Sequence, residues 1–97
     1  MFEIGFTAEA VEDLRGLRKY DQQRIRGAIK AIMTVPPLQE TRNCKRLRPN
    51  ALAEWELRLG QFRVFFDADE VISRITVEAI GYKEGNTLFI HGQEYQL

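Results

Sequence analysis

Cysteine is nearly missing from this chain of 97 residues, with Cys44 standing alone. A single thiol permits no internal disulfide and no thiolate zinc site within one chain, so the fold must rest on its hydrophobic core. No His or Asp adjoins Cys44 in sequence, and it reads as a spectator thiol rather than a nucleophile. The only histidine, His91, lies near the C-terminus and reads first as a surface residue. No apolar run approaches the length of a membrane-spanning helix. Met1-Phe2-Glu3 lacks the basic start of a signal peptide. These absences point to the cytoplasm and away from a membrane. Repeats, low-complexity tracts and linkers are missing too, so residues 1–97 read as one domain.

A chain this short buries only about 60–65% of its unfolded surface, which demands a compact core. Its 44% hydrophobic and 29% charged residues are ordinary for a globular protein. Formal net charge is zero, yet the charges are segregated. Residues 15–63 hold twelve Lys/Arg against four acids, whereas residues 1–14 carry four acids and no base. Residues 64–97 carry six acids and two bases. Such a basic middle can face a polyanion while the chain stays neutral, although two charged helices would give the same count.

The most structured stretch is Glu54 to Phe66, EWELRLGQFRVFF. Trp55, Leu57 and Leu59 alternate with Glu54, Glu56 and Arg58, the period of a half-buried strand. Gly60-Gln61 suits a type II′ turn, whose first position needs φ > 0. Phe62, Val64 and Phe66 then alternate with Arg63, Phe65 and Asp67. Folding there sets Leu59 opposite Phe62, Arg58 opposite Arg63, Leu57 opposite Val64 and Glu56 opposite Phe65. One face is apolar, with Trp55 in the core; the other carries the charges. Opposed guanidinium groups repel. Either Glu56 relieves them by pairing diagonally with Arg63, or the pair is held for an anion matched to the planar fork of arginine.

Ahead of the hairpin, Phe2, Ile4 and Phe6 form a short strand. Thr7 caps a helix with Val11, Leu14 and Leu17 as its apolar stripe, ending near Arg18-Lys19. Asp21 caps a second helix with Ile25, Ala28, Ile29, Ile32 and Met33 at helical spacing, stopped by Pro36-Pro37. Leu38 to Ala53 shows no periodicity and contains Arg42, Lys45, Arg46 and Arg48 against Glu40 alone. Past the hairpin, residues 67–70 read as a turn and Val71–Ile80 as a strand ended by Gly81, with a short edge strand over Leu88–Ile90. The predicted order is β-α-α-β-β-β, an α+β fold with a two-helix hairpin on one face of a small, curved, mainly antiparallel sheet. The charged face is left open to water or a ligand.

Two helices, a proline stop, the basic Lys45-Arg46-Leu47, then WELRLGQFRVFF and the closing IGYKEG resemble the RelE/ParE superfamily of toxins from type II toxin–antitoxin systems. The resemblance spans essentially the whole chain. It implies a small cytoplasmic toxin, without cofactor or metal, that cleaves mRNA in the ribosomal A site. In the ParE-like branch the target is DNA gyrase instead. It also implies a cognate acidic antitoxin, in a heterotetramer or beside a toxin homodimer. Carried over, Arg63 matches the arginine that contacts the scissile phosphate, and Lys83 a second basic group. Lys45 and Arg46 match basic positions before the leucine, and Arg48 extends that phosphate-binding stretch. The chain departs from the ribosome-dependent members at Glu54 and Glu56, where two lysines stand. The usual C-terminal Tyr or His falls near Phe89 or His91.

RNA cleavage by the 2′-OH needs a base, cations on the phosphorane oxygens and an acid for the leaving oxygen. Arg63 and Arg58 supply charge, Glu56 is the candidate base, and Tyr82, Lys83 or His91 the acid. Each has a plainer role: Glu56 as a charge partner, Tyr82 as a packing aromatic, His91 on the surface. Three readings follow: a ribosome-dependent endoribonuclease, a gyrase-binding toxin, and a non-catalytic module that binds its antitoxin and autoregulates. In each, an acidic antitoxin segment is expected over Arg58, Arg63 and the Arg42–Arg48 loop.

Overall fold

The computed structural model describes residues 2–33 and 39–97, without the side chains of residues 32 and 33. In chain order come β1 (Glu3–Phe6), α1 (Ala8–Arg15) and α2 (Lys19–Met33). Then follow β2 (Cys44–Arg46), β3 (Trp55–Leu59), β4 (Phe62–Asp69), β5 (Arg74–Glu84), β6 (Thr87–Ile90) and β7 (Gln93–Tyr95). The strands from β2 to β7 lie side by side in chain order, each antiparallel to the next. β1 alone is parallel, pairing with the first half of β5. This is the expected α+β architecture of two helices on an open, mainly antiparallel sheet.

The central hairpin has the register that alternation dictates, with Leu59 opposite Phe62, Arg58 opposite Arg63 and Glu56 opposite Phe65. Gly60 opens the turn at φ +58°, a conformation that costs glycine nothing. The apolar face, including Trp55, Leu57, Val64 and Phe66, packs with Leu14 of α1 and Ile25 and Ile29 of α2 in one buried cluster. Thr7 caps α1, its hydroxyl accepting the N–H of Ala10 at 3.1 Å.

Several local expectations are corrected. α1 closes at Arg15, and α2 begins at Lys19, so Asp21 lies inside the first turn rather than capping it. There it is buried and takes Arg18 Nε at 3.2 Å, with Arg24 Nη1 at 3.7 Å. The Pro36-Pro37 stop lies outside the described residues. The Leu38–Ala53 connection contains β2, which pairs with β3 and buries Cys44 opposite Leu57. β4 runs on through Asp69, so the turn falls at 70–73 and β5 starts at Arg74 rather than Val71. Asp69 Oδ1 fixes that turn by accepting the N–H groups of Val71 and Ile72 at 3.0 and 3.3 Å. Gly81 lies within β5 rather than ending it. A Cβ there would stand 2.5 Å from the Phe89 carbonyl, so only glycine lets β6 approach.

The charged face is not wholly open. Phe65 is fully buried on it, in a second cluster with Ala53, Ala79, Leu88 and Ile90. Leu47 and Leu52 from the β2–β3 loop and Tyr95 from β7 pack against this cluster. Asn50 shapes that loop, its side-chain oxygen accepting the N–H groups of Leu52 and Ala53 and its amide donating to the Arg48 and Ala53 carbonyls. Part of the face is thereby covered, and charged side chains remain at the hairpin turn.

Trp55 is 6% exposed and stacks on Phe66, centroids 6.2 Å apart. Trp55→Ala is expected to cost about 3–5 kcal/mol in chemical denaturation, the range for deleting a buried aromatic. A loss below 1 kcal/mol would place Trp55 outside the core.

Candidate functional site

The charged cluster is built by the β3–β4 hairpin and the end of β5. Arg58 and Arg63 are cross-strand partners, and Gly81 lies opposite Arg63 on the other side. Strand alternation puts Lys83 on the same face, and its N–H donates to the Gln61 carbonyl at 2.8 Å. Two guanidinium forks thus stand beside the turn, with Lys83 on the same face of the adjoining strand.

Glu56 does not pair with Arg63. It is buried, 7% exposed, and accepts from Arg58 Nε at 2.8 Å along its own strand. Arg63 is drawn the other way, to backbone carbonyls at the hairpin end. Its Nη1 donates to Gly60 O at 2.7 Å and to Phe62 O at 2.9 Å. Tyr82 lies opposite Phe62 on the helix-bearing face and stacks on Phe89 at 5.3 Å. The sheet therefore separates Tyr82 from Arg63, and of the four candidate catalytic residues only Arg63 and Lys83 have free polar atoms on one face.

The remaining candidates are dispersed. Lys45 lies opposite Glu56, at the outer edge of the charged face. Arg46 lies opposite Trp55, its guanidinium 5.4 Å over the indole. Arg48 is exposed in the β2–β3 loop. His91 adopts φ +55° in the β6–β7 turn, and its Nδ1 meets Asp13 Oδ1 at 2.7 Å. The other oxygen of Asp13 accepts the Ile80 N–H at 3.0 Å, filling the gap between β1 and β6 along the edge of β5. His91 is thus part of a structural bridge to α1.

One residue at the turn escaped the sequence reading. A Cβ on Gly60 would lie 3.7 Å from Arg24 Nη2, so Arg24 of α2 flanks the turn. Its guanidinium lies over the ring of Tyr20, 5.7 Å from the centroid. Helical spacing marks Arg24 as a surface position and gives no sign that it meets the hairpin.

The opposite end of the sheet is acidic. A bulge between Phe65 and Phe66 leaves Glu78 without a cross-strand partner on β4. Burial and a hydrogen bond with Asp67, together with the charges of Asp67 and Glu9, push the Glu78 carboxyl up to about 7. Asp67 in turn accepts the Glu54 N–H at 2.8 Å.

A two-helix cap on such an open sheet is a fold also found in a solved toxin–antitoxin complex. The family described as the ParE toxin of type II toxin–antitoxin systems has a model matching residues 4–84, and the chain belongs to it. The crystal structure of the toxin–antitoxin complex RelBE2 from Mycobacterium tuberculosis contains a similar fold, with a TM-score of 0.70 at 20% identity. That similarity covers 84% of this chain and 91% of the other. No curated protein matches the sequence.

The Glu78 carboxyl gives a pH dependence. Its raised value means that the folded chain keeps a proton that the unfolded chain releases above its ordinary value of 4.5. Stability from this group is full below 4.5 and is lost as pH rises through about 7. Glu78→Gln is expected to raise the thermal midpoint at pH 8 and flatten its fall between pH 5 and 7.5. Parallel profiles for variant and wild type would assign the fall to other groups.

Proposed function

We propose that this chain is a toxin that arrests growth by binding DNA gyrase in the cytoplasm, rather than by cleaving mRNA on the ribosome. The observation that carries this reading is the state of Glu56. A general base must be free to take a proton, and Glu56 is buried against Arg58 Nε. The candidate acid Tyr82 is on the far face of the sheet. Membership of the ParE family supports the same reading. So do Glu54 and Glu56, acids where the ribosome-dependent toxins carry lysines. With Glu56 committed to Arg58 and Tyr82 on the far face, the arginines serve binding.

One feature favours the endoribonuclease reading: Arg58, Arg63 and Lys83 share a face around one turn, as charge stabilisation of a phosphorane requires. In either case the neutralising partner is a cognate antitoxin, whose acidic segment would cover that cluster and weaken as salt rises.

Induced expression with separate readouts of plasmid supercoiling, protein synthesis and mRNA ends decides between the two. The expected result is altered supercoiling with intact transcripts; new mRNA ends on translating ribosomes would overturn it. Glu56→Gln sharpens the test. It should leave growth arrest intact and cost about 1–2 kcal/mol of stability, because Arg58 loses a charged acceptor but stays half exposed. Loss of arrest in a folded Glu56→Gln variant would restore Glu56 as the base.

A further inference from the structure

A groove of about 950 Å³ crosses the sheet at the end away from the Gly60-Gln61 turn. One wall is the β2–β3 loop, with Arg48, Pro49, Ala51 and Leu52; the other is the β4–β5 turn, from Asp69 to Ile72. Arg58, Arg63 and Lys83 lie outside it. Both walls are pinned. Asn50 braces the loop through its hydrogen bonds to Arg48, Leu52 and Ala53. Asp69 Oδ1 holds the turn, Ser73 closes it at φ +54°, and the Glu3 N–H donates to the Ser73 carbonyl at 2.8 Å. On these fixed frames apolar side chains face water. Val71 is 94% exposed and its neighbour Ile72 63%, with exposed Pro49 and Ala51 across the groove. Single surface hydrophobics mean little, but an adjacent pair on a rigid turn beside a second apolar wall forms a contact patch.

The acids at the base of the groove serve the sheet itself. Glu54 Oε1 accepts the Ala68 N–H at 3.3 Å, and Asp67 Oδ1 the Glu54 N–H at 2.8 Å. What selects an occupant is the sign of the two walls. The loop wall carries Arg46 and Arg48, and the turn wall Asp69 and Glu70. A partner with one sign of charge would be repelled by one wall or the other. A second copy related by a twofold axis offers its turn to the loop and its loop to the turn, so unlike charges meet at both contacts. We infer that this groove is a homodimer interface. The Val71-Ile72 tip of each copy seats against the Pro49–Leu52 wall of the other, with Glu70 beside the partner's Arg48. The interface excludes the hairpin turn, so it goes beyond gyrase binding and does not depend on it.

The test is analytical ultracentrifugation of the purified full-length chain. A patch this small forms a weak dimer, so the mass should move from one chain towards two between about 1 and 200 µM. Val71→Asp and Ile72→Asp should each weaken association at least roughly tenfold, since each change enters the dimer twice at the apolar centre of the contact. Both positions are exposed, and thermal midpoints measured where the chain is a monomer should not fall. Arg48→Glu and Glu70→Arg should each weaken the homodimer by setting like charges together. An equimolar mixture of those two variants should associate about as tightly as the wild type, because both contacts of the mixed dimer then pair opposite charges. An ion pair within one chain would give no such rescue. A chain that stays monomeric across the whole range would overturn the inference. So would a dimer that Val71→Asp leaves intact, or a mixture that associates no better than its components.

Discussion

Phe65 and Phe66, adjacent on β4, point to opposite faces of the sheet, and each is buried by a different layer. Phe66 is sealed by Trp55 and the two helices, Phe65 by β6, β7 and the β2–β3 loop. β4 is thus the shared wall of two cores, flanked by β3 and β5. A slip of one residue would exchange the faces, moving Arg63 and Asp67 into the helix core and Val64 and Phe66 out of it. Hence the register of the hairpin, and with it the positions of Arg58 and Arg63, follows from packing rather than from charge.

The zero net charge conceals a division of labour among carboxylates. Asp13 ties the β5 edge to His91, Asp21 holds Arg18 and Arg24, and Glu56 holds Arg58. All three are shielded from solvent and spent on internal partners, so they fix geometry more than they screen the surface. Among the described residues no buried side-chain nitrogen or oxygen lacks a partner. The acids at the bulge gather at the other end of the sheet, away from the turn. The charged face is therefore polar along its strands, cationic at Gly60 and acidic at Glu78.

The central hairpin was legible because period-2 alternation and a glycine at its turn define a register without tertiary knowledge. The second helix was legible for the parallel reason that Ile25, Ala28 and Ile29 repeat at helical spacing. β2 and β7 were not, since three-residue strands show too little alternation to register. The cover over Phe65 was missed because it joins residues 47–53 to residues 88–95, a contact that only the folded chain makes. At the site, sequence spacing places Arg58 opposite Arg63 but says nothing of which acceptor each one takes. Those acceptors are a neighbouring carboxylate and two turn carbonyls, and the latter belong to the backbone. Arg24 was invisible for a similar reason, as helix periodicity does not reveal which turn of chain a helix will meet.

The opposition of Arg58 and Arg63 looks, in sequence, like a repulsion that only an anion could relieve. The folded chain relieves it internally. Arg58 leans along β3 to Glu56, Arg63 leans to the turn carbonyls, and the two forks diverge before any ligand arrives. Stored repulsion therefore cannot be the reason for the pair. What survives is preorganisation: each fork has one nitrogen fixed, so less rotamer entropy is lost when the remaining N–H groups engage a partner. Fixed donors around a rigid turn favour whatever anion fits their spacing. The same anchoring makes the cluster a good grip for phosphate or carboxylate and commits the Glu56 carboxylate to Arg58.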